Sequence, residues 1–171
     1  MKNIVLIGFM GTGKSTVGRR LARHLGLRFI DTDEEIERLT GKTIQRIFRE
    51  DGERRFRSEE ALLCRRVASA EGLVIATGGG MVLDPENVRL LRRNGILIGL
   101  KAHPDVIFQR VRRKENRPLL QGDTAARIKE LLNARQGVYD VADVTIDTGD
   151  KSPEDVVDVI LEYLEGRYAF G

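Results

Sequence analysis

The chain has 171 residues, 41% of them hydrophobic, with 29 Lys and Arg against 26 Asp and Glu for a formal net charge of +3. That is the length of one domain able to bury a real core, and the mild positive balance suits an anionic ligand while falling short of a nucleic-acid footprint. With no Trp, six Phe and three Tyr the sequence offers no aromatic platform for stacking bases, and a single Cys excludes an intrachain disulfide.

The first expected element is a strand at about residues 4–7, Ile4-Val5-Leu6-Ile7, which runs directly into Gly8-Phe9-Met10-Gly11-Thr12-Gly13-Lys14-Ser15-Thr16. A helical pattern at 15–25 follows, with Val17, Leu21 and Leu25 on one stripe. Gly-x4-Gly-Lys-Ser between a buried strand and a helix is a phosphate-binding loop. Glycines let successive N–H groups curl around a polyphosphate, and the helix dipole faces it. Lys14 is placed to reach the β- and γ-phosphates and the Ser15 hydroxyl to ligate Mg²⁺, so a nucleoside triphosphate is the expected ligand. The apolar stretch ahead of the loop is too short for a secretory leader or a membrane span, and a cytoplasmic protein is expected.

A second strand at 28–30 ends in Asp31-Thr32-Asp33, ahead of helices at 34–39 and 43–50. Two carboxylates at a strand exit suit phosphoryl transfer, one near the metal and one near the attacking hydroxyl; Asp33 equally suits an N-cap for the helix beginning at Glu34. The next helix, 52–70, carries Phe56, Leu63 and Val67 at helical spacing, with Glu60 set into that apolar stripe and Arg57 three residues before it. The pair can organise an anion site or form a surface ion pair.

A strand at 73–76 leads to Thr77-Gly78-Gly79-Gly80, which reads either as bare backbone for a ligand or as a tight turn. Helices are expected at 85–94 and 104–113 around a strand at 96–100, with Pro85 and Pro104 near their starts. The polar segment 114–123 reads as a mobile loop over a site, and its Arg117 as either a lid cation or plain surface. A helix at 124–138 places Arg135 on the stripe Ile128, Leu131, Leu132, Tyr139, where the cation needs a partner, a ligand or a route for its stem to solvent. A strand at 144–147 and a helix at 153–165, opened by Pro153, complete the chain. Strand–helix alternation with continuously apolar strands predicts a parallel sheet covered on both faces, with ligands at the carboxyl ends of its strands.

The stretches GFMGTGKSTVG at 8–18, DTD at 31–33, GKTIQRIFREDGERRFRSEE at 41–60, ATGGG at 76–80, NRPLL at 116–120 and ARQGVYDVAD at 134–143 together resemble the shikimate kinase family over essentially the whole chain. The resemblance implies a single domain over 1–171 with a three-layer α/β/α phosphate-loop kinase fold. The sheet would have five parallel strands in the order 2-3-1-4-5, with an acceptor-binding region at about 31–60 and a lid at about 112–124. It implies transfer of the ATP γ-phosphate to the 3-hydroxyl of shikimate, giving shikimate 3-phosphate and ADP in aromatic amino-acid biosynthesis, with Mg²⁺ as the cofactor.

By the same resemblance Asp33, Arg57, Gly78, Gly79, Gly80 and Arg135 hold shikimate, and both arginines grip its carboxylate. Asp33 is the base or orienter, Lys14 and Arg117 stabilise phosphate charge, and Ser15 and Asp31 serve the metal. Gly11, Thr12, Gly13, Lys14, Ser15 and Thr16 cradle the phosphates, Arg110 and Pro153 flank the adenine, and Phe48 and Phe56 wall the acceptor pocket. ATP and shikimate are the expected partners of a monomer, without nucleic acid or membrane. Two alternatives are a related kinase for gluconate or a nucleoside monophosphate, and a catalytically silent nucleotide-binding module.

Overall fold

The computed structural model describes residues 1–113 and 123–167. Its elements run β1 (Asn3–Ile7), α1 (Lys14–Leu25), β2 (Arg28–Asp31), α2 (Thr32–Thr40), α3 (Ile44–Asp51), α4 (Glu53–Ala68), β3 (Leu73–Ala76) and α5 (Pro85–Arg93). β4 (Gly95–Lys101), α6 (Pro104–Val111), α7 (Thr124–Ala134), β5 (Val144–Asp147) and α8 (Pro153–Arg167) follow. The strands form one five-stranded sheet in the order β2-β3-β1-β4-β5, every pairing parallel, which is the expected architecture and order.

The central strand explains the layers. Ile4 and Leu6 of β1 pack on one face with Val17 and Leu21 of α1 and Ile160 and Leu164 of α8. Val5 and Ile7 turn to the other face and meet Phe56, Leu63 and Val67 of α4 and Leu91 of α5. A strand buried on both faces cannot alternate with polar residues, so β1 is apolar from Ile4 to Ile7 after a buried Asn3 at its start. Local signals set the helix ends. Pro85, Pro104 and Pro153 each open a helix, Asp84 caps α5 and the His103 ring nitrogen caps α6, while Gly26 at φ 66° closes α1.

The chain after α7 and after the three glycines departs from expectation. The helix expected at 124–138 stops at Ala134, and Arg135 is its C-cap. Gly137 takes φ 80°, which reverses the chain, and Val138–Val141 forms a 3-10 turn instead. A second 3-10 turn at Met81–Leu83, directly after the three glycines, was not expected. Arg117 and all but the ends of the expected lid at 112–124 lie outside the described residues.

Candidate active site

The site is built on the carboxyl ends of β1, β2, β3 and β5, and its first part is the loop after β1. Gly8, Gly11 and Gly13 have φ of 147°, 73° and 101°, a backbone that residues with a Cβ adopt only at a cost. A Cβ on Gly8 would also stand 2.2 Å from the Leu100 carbonyl oxygen of β4. The loop is tied from within. The Thr12 hydroxyl donates to the Phe9 carbonyl at 2.7 Å, and the buried Lys14 ammonium donates to the Gly8 and Phe9 carbonyls at 2.8 Å each.

The second part hangs from β2. Asp31, not Asp33, caps α2: its Oδ1 accepts from the N–H groups of Asp33 at 3.0 Å and Glu34 at 3.1 Å. The helix therefore starts two residues earlier than expected, and Asp33 sits inside its first turn. Asp31 Oδ2 accepts from the Ser15 hydroxyl, so a single carboxylate joins the phosphate loop to α2.

The third part gathers Arg57, Glu60, Arg135 and the glycines after β3. The helical spacing of Arg57 and Glu60 gives an ion pair of 2.6 Å, but not a surface one, because Glu60 is 1% exposed. Burial pushes the Glu60 carboxyl up to about 7; the Asp33 charge adds to the rise, and Arg57 and Arg135 oppose it. Glu60 Oε2 is buried without a hydrogen-bond partner, and the residue belongs to the lining of a cavity it shares with Arg57 and Arg135. Arg135 is 6% exposed, which excludes a stem snorkelling to solvent; its guanidinium lies 5.7 Å above the Phe9 ring.

Gly78 and Gly80 matter for the space they leave to neighbouring side chains rather than for φ. A Cβ on Gly78 would stand 2.5 Å from Asp33 Oδ1 and 3.1 Å from Glu60 Oε2, and one on Gly80 would stand 2.2 Å from an Arg57 nitrogen. Bare backbone is what lets these side chains close on the turn.

Three cavities meet along this edge. The largest, about 460 Å³, is lined by Gly11, Gly13, Thr16, Arg110, Thr148 and Pro153. A middle cavity of about 70 Å³ shares Gly11, Gly13 and Thr16 with it and adds Lys14, Ser15, Asp31 and Asp33. A third, about 60 Å³, shares Asp33, Gly78 and Gly79 with the middle one and adds Phe48, Phe56, Arg57, Glu60 and Arg135. Phe48 and Phe56 pack in a tilted arrangement, 5.1 Å between ring centroids and 46° between planes, on its apolar side. The expected site residues among those described, from Gly11 to Thr16 and then Asp31, Asp33, Arg57, Gly78, Gly79, Gly80, Arg110, Arg135 and Pro153, all line this connected space.

Sequence reasoning missed Thr148. Its hydroxyl donates to the Thr12 carbonyl at 2.8 Å and accepts from Arg110 at 3.0 Å, while Arg110 also reaches the carbonyls of Thr148 at 2.7 Å and Gly11 at 3.1 Å. The signal existed, since Thr148 directly follows β5 just as Asp31 ends β2 and Thr77 follows β3.

A phosphate loop opening through one shared carboxylate onto a small cavity with two arginines defines a phosphate-loop small-molecule kinase. Comparison with known proteins narrows the class. The family model for shikimate kinase matches residues 10–165. The shikimate kinase of Desulforudis audaxviator is 64% identical over 98% of this chain and 88% of that protein. That of Pelotomaculum thermopropionicum is 62% identical, covering 96% of each. The structure of shikimate kinase from Acinetobacter baumannii in complex with shikimate superposes with a TM-score of 0.94 at 40% identity, over 98% of this chain and 95% of that one. The chain belongs to the shikimate kinase family.

Proposed function

We propose that this chain transfers the γ-phosphate of ATP to the 3-hydroxyl of shikimate, giving shikimate 3-phosphate and ADP, a step of aromatic amino-acid biosynthesis. The observation that carries the reading is the run of three connected cavities, with Asp33 on the boundary between the phosphate chamber and the acceptor chamber.

The large cavity takes the nucleoside of ATP between Arg110 and Pro153, and the loop Gly11–Thr16 takes its phosphates. Lys14, which donates to loop carbonyls, is drawn to the β- and γ-oxygens when they arrive. In the acceptor chamber Arg57 and Arg135 grip the shikimate carboxylate, and Phe48 and Phe56 cover the ring's apolar face. Gly78, Gly79 and Gly80 let the ring lie against backbone. Asp33 orients the 3-hydroxyl and accepts its proton as the phosphoryl group transfers. Arg117, outside the described residues, is assigned to charge on the transferring phosphate.

Ser15 and Asp31 present hard oxygen donors side by side, which fits Mg²⁺. Among the described residues no group of three or more His, Cys, Asp or Glu could hold a metal, so such an ion depends on phosphate oxygens as well. Held by Ser15 and Asp31, such an ion would supply positive charge to the phosphate groups of ATP.

The reading includes a cytoplasmic monomer without nucleic-acid or membrane partners. Among the described residues no helix is long and apolar enough to cross a membrane. Among the described residues the exposed large hydrophobics are Met1, Leu39, Leu62 and Leu83, which come from separate segments of the sequence. Light scattering of the purified protein tests the monomer. A panel of acceptors with Mg²⁺-ATP tests the substrate: selective turnover of shikimate is expected, and selective turnover of gluconate or AMP overturns it.

A further inference from the structure

The triple-glycine turn has no side chains with which to hold itself, yet it must present backbone to the acceptor at fixed positions. At its start the Gly78 N–H donates to the Thr32 hydroxyl at 2.8 Å, and Thr32 is fully buried at the head of α2. In its middle the Gly79 carbonyl accepts from the Tyr139 hydroxyl at 2.7 Å. Tyr139 comes from the far side of the site, in the 3-10 turn that follows α7. The reversal at Gly137 brings it back beside Arg135, whose guanidinium lies 3.5 Å from the same hydroxyl. Arg135 in turn stands 3.3 Å from where a Gly79 Cβ would be.

We propose that Tyr139 is a positioning residue of the acceptor site, its hydroxyl fixing at once the Gly79–Gly80 peptide plane and the guanidinium of Arg135. The inference rests on the reading that the third cavity takes shikimate. A trans peptide sends its C=O and the next N–H in opposite directions. Tying the Gly79 carbonyl to Tyr139 therefore turns the Gly80 N–H to the other side of the plane, away from the tyrosine. Without the hydroxyl both the plane and the guanidinium gain freedom that shikimate must remove on binding.

The ring has its own work to do. It packs against the buried cluster beneath α4 and α5 and against the cluster of Phe9, Ile107 and Ile128. Burial raises the phenol above its ordinary value against the opposing charge of Arg135, so the hydroxyl remains a donor throughout the neutral range. Phe keeps the ring and removes only the hydroxyl, which is donor to Gly79 and acceptor from Arg135, and this separates packing from positioning.

The experiment is the Tyr139→Phe variant of the full chain, with KM for shikimate, KM for ATP, kcat and thermal midpoint measured beside the unchanged protein. The loss of one net hydrogen bond predicts a KM for shikimate raised about 3- to 10-fold, with KM for ATP within about twofold. The double variant with Arg135→Lys is expected to be less impaired than the product of the two single effects, because both act on one guanidinium. An unchanged KM for shikimate overturns the inference. So do equal rises for both substrates, full multiplicativity in the double variant, or failure of Tyr139→Phe to fold, each of which makes the hydroxyl a general structural group or an idle one. Absence of shikimate turnover in the unchanged protein sinks the proposed function instead, so the two failures are told apart.

Discussion

Arg57 donates to Glu60 Oε1 at 2.6 Å across one turn of α4, and Glu60 has almost no exposure. The carboxyl thus holds an arginine at the mouth of the acceptor cavity from a position where its own charge is costly. Its elevation to about 7, from an ordinary 4.5, is dominated by burial. A carboxyl whose native value is raised binds more protons folded than unfolded between those two values. Its stabilising contribution is therefore complete below that window and declines as pH rises through it.

Glu60→Gln removes this titration. The stability of the unchanged protein relative to the variant is expected to fall by on the order of 2 kcal/mol between about pH 5 and about pH 8. Urea unfolding of both proteins across that range measures it, and a pH-independent difference contradicts a buried, titrating Glu60.

Asp31, not Asp33, supplies the side-chain cap of α2, so a change at Asp33 leaves that cap in place. Asp33→Asn is expected to lower kcat by at least about 10²-fold while ATP affinity stays within about twofold. Turnover and nucleotide binding measured together check this, and a parallel loss of both returns Asp33 to a structural role.

Thr148 links the carbonyl of Thr12 to Arg110 on the nucleoside side of the channel. Thr148→Val keeps the shape, removes the donor to the Thr12 carbonyl and leaves Arg110 only its two carbonyl partners, so KM for ATP is expected to rise about 3- to 10-fold, with KM for shikimate unmoved. Thr148→Ser, which keeps the hydroxyl, is expected to restore most of the loss. Equal behaviour of Val and Ser variants contradicts the hydrogen-bond account.

Two glycine variants separate fold from site. At Gly80 an added Cβ meets the movable tip of Arg57, whereas at Gly8 it meets backbone at a positive φ. Gly80→Ala is expected to raise KM for shikimate with the thermal midpoint nearly kept, and Gly8→Ala to lose cooperative folding. A folded, ATP-binding Gly8→Ala protein contradicts the packing of the loop against β4.

Much of this was legible in the sequence because the signals are local. The apolar runs gave all five strands, and the phosphate loop, Asp31, Asp33 and the three glycines fall at strand ends, where a parallel sheet exposes its ligands. Arg57 and Glu60 were legible as neighbours by helical spacing, but their depth was not, since burial depends on α2, α3 and the glycine turn closing over them. Arg135 was placed on a helix that ends one residue before it, because a glycine two positions on overrides an apolar stripe that continues to Tyr139. Thr148 and Tyr139 escaped because each acts through a backbone carbonyl far away in sequence, which no spacing encodes.

The most direct test of the central claim is the stoichiometry of the reaction with Mg²⁺-ATP and shikimate, followed by ADP release and by phosphorus NMR of the product. The account predicts one ADP and one 3-phosphorylated shikimate for each shikimate consumed. ATP binding without shikimate-dependent ADP release, at high enzyme concentration, would contradict it.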